Sequence, residues 1–300
     1  MRMRHLQYFL VVAEELSFIR AAARVHIEPS PLSRAIKDLE AKLGVRLLQR
    51  TRGSIRLTWA GEVFQVEARR LLDVMDGAIT RVNSANRGYR GMLRIGIADS
   101  LAQPRFTQLL AQCREEEPLT EIKITEMSVR EIARSLDHDQ IDAGFTLHPE
   151  LPSSHPRIVA WADRPAIAIP KKHPLLSLAH IPIFEVARHP LILCHPESWA
   201  GGHNVVNRWF RDMRLPTPVI AEFVSGHEQM MMLVAAGYGI GVGLASQIAL
   251  YNHPDVVIRP VSEDIPDTVT FIVIQSGPTN EELSRFLERA QQLGGQRAPP

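Results

Sequence analysis

Apolar residues near the start of the chain recur with helical spacing. Leu6, Phe9, Leu10 and Ala13 fall at i, i+3, i+4 and i+7, which predicts a first helix with one buried face. Ser17 is placed to cap a second helix over 18–25, whose run Ala21-Ala22-Ala23 lets a neighbouring helix approach closely. His26 and Ile27 form a short turn. A third helix opens at Glu28-Pro29-Ser30-Pro31, where prolines fit because the first helical turn has no intrahelical partner for its N–H groups. Leu32, Ile36, Leu39 and Leu43 define its buried face and Gly44 stops it. Segments 47–50 and 54–57 read as two short strands around a turn containing Arg52-Gly53. Thr58 then caps a long helix to about Asn86, with Phe64, Leu71, Met75, Ile79 and Val82 along one side.

From Gly91 the pattern changes. Segments 93–97, 122–126, 141–146, 166–169, 191–194, 239–244 and 270–274 read as buried strands, and helices at 106–116, 129–136, 205–214 and 229–236 lie between several of them. That alternation predicts α/β units with a mostly parallel sheet. Pro-bearing stretches near 149–156 and 260–266 are where the chain is expected to cross between two subdomains. The expected division is residues 1–58, a linker helix over 59–90, and a domain over 91–300. The last splits into one subdomain at 91–160 plus 266–300 and another at 161–265.

Length and composition add bounds. The chain has 300 residues, enough for about two domains with their own cores. With 45% hydrophobic and 22% charged residues, its composition is that of an ordinary globular protein. No apolar run approaches the roughly 20 residues needed to cross a bilayer. Met1-Arg2-Met3-Arg4-His5 leads straight into the first amphipathic pattern, without a signal peptide's apolar stretch. Cys113 and Cys194 are too few for a disulfide framework. The expectation is a cytoplasmic protein.

The net charge of +1 conceals an asymmetry. Residues 1–60 carry 11 Lys and Arg against 5 Asp and Glu, whereas 61–300 carry 23 against 28. A basic segment with two helices joined by a tight turn has the form of a helix-turn-helix whose second helix enters the DNA major groove. On the face opposite the apolar stripe, Ser30, Pro31, Ser33, Arg34 and Lys37 are the candidate DNA-facing residues. Arg34 suits a guanine edge, the serines suit bases or phosphates, and Lys37 suits a phosphate. The strand pair adds a wing, with Arg50, Arg52 and Arg56 as candidate backbone contacts. The stripe of the long helix packs either on its own domain or, the favoured reading, on a second copy.

In open α/β sheets ligands collect beyond the carboxyl ends of strands, near helix N-termini. Four places fit: Ser100-Leu101, Ser128-Val129, Thr146-Leu147, and the stretch from Ser198 through Gly202 and His203. Hydroxyls and free N–H groups there suit a carboxylate, a sulfate or a polar metabolite. For each serine, simple helix capping is an equal alternative.

These residues carry a resemblance. The stretch 6–18, Leu-Gln-Tyr-Phe-Leu-Val-Val-Ala-Glu-Glu-Leu-Ser-Phe, followed by Ala21-Ala22, resembles the opening of LysR-type transcriptional regulators. So do Ser30-Pro31-Leu32-Ser33-Arg34-Ala35-Ile36, Leu43-Gly44-Val45-Arg46-Leu47, and Arg56-Leu57-Thr58 with Ala60-Gly61. Weaker similarity runs through Leu93–Ile97, Ile141–Phe145, His173-Pro174-Leu175 and Val234–Gly241. The resemblance implies an all-α winged helix-turn-helix with a long linker helix that pairs subunits. It also implies an α/β effector domain of two Rossmann-like subdomains, built like a type 2 periplasmic binding protein. A homodimer or homotetramer, double-stranded promoter DNA, a small-molecule effector and RNA polymerase are the implied partners, and no cofactor is expected. By the same resemblance Ser100 and Ser128 match effector-holding positions. Pro29 stands where the family often has a base-reading Gln, and Leu147 stands near where some relatives have Arg.

Other features lead elsewhere. Gly237, Gly239, Gly241 and Gly243 leave a helix and enter a strand, the reverse of a dinucleotide fingerprint. The 12 histidines show no metal-ligand spacing. Cys113 and Cys194 are expected to be buried thiols, Glu115-Glu116-Glu117 a solvated helix end, and Trp199 a packed side chain. No catalytic constellation stands out, which argues against an enzyme. A solute-binding transport protein would need a signal peptide and no basic helix-turn-helix.

Overall fold

A computed structural model describes residues 2–51, 54–99, 104–148, 155–197, 199–263 and 265–295, with only the backbone of Arg50 and Thr51. The chain forms two units, Met1–Asn83 and Ser84–Pro300.

In the first unit α1 (Met3–Glu15), α2 (Phe18–Arg24) and α3 (Pro29–Leu43) precede β1 (Leu48–Thr51), β2 (Ser54–Leu57) and α4 (Trp59–Asn86). Phe9, Leu32, Ile36 and Leu39 are fully buried, and Ala21 and Ala22 of α2 pack into the same cluster. Leu43 departs from expectation: it is 36% exposed and lies outside the core cluster that takes Leu32, Ile36 and Leu39. Ser17 Oγ accepts the Arg20 N–H and caps α2, as its position suggested. Gly44 closes α3 at φ 71°, a left-handed conformation that glycine adopts without a Cβ penalty. Glu40 Oε1 accepts the Leu47 and Leu48 N–H groups at 2.8 and 3.0 Å, which ties the antiparallel β1–β2 ribbon to α3. Thr58 Oγ1 accepts the Gly61 N–H at 2.9 Å and starts α4.

The apolar stripe of α4 divides along the axis. Phe64 packs edge-on against Phe9 and belongs to the core of its own unit. Leu71, Met75, Ile79 and Val82 are exposed.

The second unit contains β3 (Gly91–Ile97), α5 (Pro104–Glu116), β4 (Thr120–Glu126), α6 (Val129–Asp137), β5 (Ala143–Thr146) and β6 (Arg157–Asp163). Next come β7 (Pro165–Pro170), α7 (Ile183–Val186), β8 (Leu191–Cys194), α8 (Ala200–Asp212), β9 (Ile220–Val224) and α9 (His227–Ala235). The unit ends with β10 (Ile240–Leu244), α10 (Ala245–Ile248), β11 (Val256–Pro260), β12 (Thr268–Ile274) and α11 (Glu281–Gly295). Two five-stranded sheets result, ordered β4-β3-β5-β12-β6 in the first lobe and β11-β7-β10-β8-β9 in the second.

The sheets are mixed rather than mostly parallel. Strands joined by a crossover helix are parallel: β3 to β4 and β5, and β8 to β9 and β10. The strands where the chain passes between lobes, β7 and β12, enter without such a helix and pair antiparallel on both sides. β6 was not anticipated, and it extends the first lobe to Asp163, past the expected division at 160. β9 and β11, edge strands of the second sheet, were also missed. At the end of α5 the acidic run is not simply solvated. Glu117 pairs with Arg285 and Arg289 of α11, and Glu116 pairs with Arg289. The Arg285 guanidinium, hydrogen-bonded to Glu117, helps hold that carboxyl down at about 2.

Candidate functional site

The outward face of α3 is open. Ser30, Pro31, Arg34 and Lys37 are exposed and Ser33 is half-buried. Neither Arg34 nor Lys37 enters an ion pair among the described residues, whereas Arg20, Arg24 and Arg69 are held by Glu14 and Glu15. On the ribbon, exposed Arg56 of β2 lies opposite Gln49 of β1. Arg52 and the Arg50 side chain lie outside the described residues.

In the second unit the carboxyl ends of the parallel strands face the start of α8. Asp99, just past β3, is 2% exposed. Its Oδ2 accepts the Thr146 hydroxyl at 3.0 Å and the Leu147 N–H at 3.1 Å, both from the end of β5. Its Oδ1 reaches into the second lobe and accepts the Gly201 and Gly202 N–H groups at 2.7 and 3.3 Å. Burial pushes the Asp99 carboxyl above its ordinary range, outweighing these four hydrogen bonds. A second contact between lobes runs from Asn204 Nδ2 of α8 to His148 Nε2, 2.8 Å apart.

Beside Asp99 lies a cavity of about 20 Å³ lined by Leu147, Cys194, Trp199, Trp209, His227 and Gln247 among others. His227 sits between Trp199 and Tyr251, with ring centres 4.9 and 5.5 Å away. Burial brings its pKa down to about 4. Cys194 is a buried free thiol raised to about 12, chiefly by desolvation. Cys113 is buried and free as well, and Trp199 is packed.

The predicted effector residues are thus only partly brought together. Thr146 and Gly202 meet on Asp99, and His203 follows one position on in α8. Ser128 lies elsewhere in use: its hydroxyl and backbone N–H form a capping box with Glu131 at the start of α6. The Val129 side chain is packed with Ile132 and Leu136 in the first lobe. Ser100, Leu101 and Ser198 lie outside the described residues. Sequence reasoning missed Asp99, although it stands next to Ser100 at a strand end, because a carboxylate was expected there from a ligand and not from the chain. Among the described residues no three metal-binding side chains cluster, and no helix is long and apolar enough to cross a membrane.

A helix-turn-helix with a β-ribbon, followed by a two-lobed α/β unit with its polar site between the lobes, is the architecture of a ligand-responsive DNA-binding regulator. Residues 3–62 match the bacterial regulatory helix-turn-helix protein, lysR family, and residues 86–294 match the LysR substrate binding domain. The chain belongs to the LysR family of transcriptional regulators. It is 35% identical over 245 residues to the uncharacterized HTH-type transcriptional regulator YnfL of Escherichia coli K12, covering 81% of this chain and 82% of that one. To the HTH-type transcriptional regulator AlsR of Bacillus subtilis 168 it is 33% identical over 264 residues, 88% of this chain and 86% of the other. Among solved structures, CbnR in complex with its target DNA superimposes with a TM-score of 0.72 at 24% identity, covering 98% and 100% of the two chains. Full-length BenM gives 0.63 at 26% identity with all of both chains covered.

Proposed function

We propose that this regulator reads promoter DNA through the outward face of α3, with a homodimer or homotetramer presenting two or more copies to successive half-sites. Arg34 is assigned to a base edge, Ser30, Pro31 and Ser33 to the groove wall, and Lys37 to a phosphate. Arg56, with Arg50 and Arg52, is assigned to the backbone beside the wing. The observation that carries this reading is the contrast in the first unit: Arg34 and Lys37 are exposed without an ion pair among the described residues, while Arg20, Arg24 and Arg69 are neutralised by acids. In this reading the chain works in the cytoplasm as a regulator and not as a catalyst, with RNA polymerase as its further partner. A small polar effector enters between the lobes near Thr146, Gly202 and His203, and Ser100, Leu101 and Ser198 are assigned to it from the sequence alone.

Selection of duplexes from a random pool by the full-length protein tests the reading. A recovered motif with two related half-sites, lost in Arg34→Ala, supports it. Enrichment of no sequence at near-physiological salt overturns it.

A further inference from the structure

The start of α8 exposes backbone N–H groups that have no partner within the helix, in a place where the helix favours negative charge. The negative charge found there is the chain's own. Asp99 comes from the first lobe, and its carboxylate bridges Thr146 and Leu147 on that lobe to Gly201 and Gly202 on the other. Among the described residues each oxygen accepts two hydrogen bonds, enough to occupy its lone pairs. Gly201 makes the approach possible: a Cβ built there would overlap Asp99 Oδ2. Asp99 itself is in the left-handed region at φ 62°, which aspartate tolerates better than most L-residues.

The space left beside it is small. A cavity of about 20 Å³ has room for one water, whereas a metabolite site is typically on the order of 300 Å³ or more. A second polar group borders this space. His227 is 2% exposed, lines the same cavity, and its buried Nδ1 has no hydrogen-bond partner among the described residues. Among the described residues the two lobes are thus bridged by an internal carboxylate, with the His227 imidazole beside it.

We propose that Asp99 is an internal ligand, occupying a small-carboxylate site at the start of α8 and clasping the two lobes, and that an effector carboxylate enters by displacing it. On displacement the Gly201 and Gly202 N–H groups pass to the incoming carboxylate, the Asp99 side chain withdraws to its own lobe, and the cleft opens beside His227. Only this last exchange rests on the reading of the cleft as an effector site. The clasp stands on the geometry alone.

Chemical rescue in the full chain tests it without DNA or any effector, so its outcome is separate from that of the duplex selection. Asp99→Ala leaves the N–H groups bare and room for a small anion. Its melting temperature should fall by about 5 °C or more, and sodium formate or acetate at tens of millimolar should restore it saturably, while sodium chloride of equal ionic strength does not. The wild type should be indifferent to formate. Gly201→Ala provides a second route from the opposite lobe: Asp99 stays, but its seat is blocked, and small-angle scattering should show a larger radius of gyration than for the wild type. The proposal is overturned if Asp99→Ala melts with the wild type, if its loss is unanswered by formate and acetate, or if Gly201→Ala leaves both melting and scattering unchanged. Should Asp99→Ala fail to fold, the Gly201→Ala result decides alone.

Discussion

The rings of Phe9 in α1 and Phe64 in α4 meet edge to face, 5.1 Å between centres and 64° between planes. This contact fixes the start of α4 to the three-helix core, because Phe9 is fully buried and Phe64 covers it. Phe9→Ala should destabilise the first unit by about 3–5 kcal/mol, the usual loss for a fully buried phenylalanine. Thermal unfolding followed by circular dichroism would show an early transition for this unit in the variant. A single unshifted transition would mean that the ring pair does not hold α4 in place.

Arg34 and Arg56 should differ in kind when each is replaced by alanine. Arg34→Ala should cost about 1–3 kcal/mol at one base position and relax discrimination there, since a base-edge contact carries sequence information. Arg56→Ala should weaken binding to all duplexes alike and lower the slope of log K against log salt by about 0.9, the signature of one lost phosphate contact. Fluorescence anisotropy over a salt series, with matched and mismatched duplexes, separates the two. Identical, sequence-blind losses would remove the assignment of Arg34 to a base.

Why the α3 face was legible and Asp99 was not comes down to range. The apolar period of Leu32, Ile36 and Leu39 is local, so it fixes both the buried side and, by subtraction, the outward side that carries Arg34 and Lys37. The same holds for Ser17 and Thr58, whose capping acts within three residues. Asp99 acquires its role from Gly201 and Gly202, 102 and 103 positions away, and no local pattern announces that meeting. Ser128 shows the converse: a strand-end hydroxyl looks identical in sequence whether it faces a ligand or closes a capping box with Glu131. The edge strands β9 and β11 escaped notice because each is half-covered, so neither shows the continuous apolar run of the central β8 and β10.

His227 should steepen the acid limb of stability. Its pKa is lowered by burial to about 4, against 6.5 in an unfolded chain. As pH falls through 6.5 the unfolded state takes up a proton that the folded state refuses, so stability is full above 6.5 and is lost progressively toward 4. The window is worth about 3 kcal/mol. His227→Phe keeps an aromatic ring between Trp199 and Tyr251 but cannot titrate. Urea unfolding at several pH values should therefore give a shallower acid limb for the variant by roughly that amount by pH 4. Parallel limbs would show that His227 does not remain neutral in the fold.

The exposed half of the α4 stripe supports the last prediction. Leu71 is 48% exposed, Met75 42%, Ile79 51% and Val82 68%, and Leu71 and Met75 border an open groove of about 350 Å³ with Met3 and Leu6 of α1. Apolar side chains at this spacing on a long helix are maintained against solvent only when something covers them, and in the proposed assembly the cover is α4 of a second copy. Met75→Glu with Ile79→Glu would place carboxylates in that seam, where pairing across a twofold axis brings like charges together and removes apolar burial. Because both side chains are exposed within the single chain, the double variant should keep its far-ultraviolet circular dichroism, while its melting temperature falls only by what the lost subunit contact contributed. Sedimentation velocity should show a shift to lighter species, and DNA affinity should fall along with it because a single recognition helix engages one half-site. An unchanged sedimentation profile would place the subunit contact elsewhere on the molecule and leave this stripe without a role in assembly.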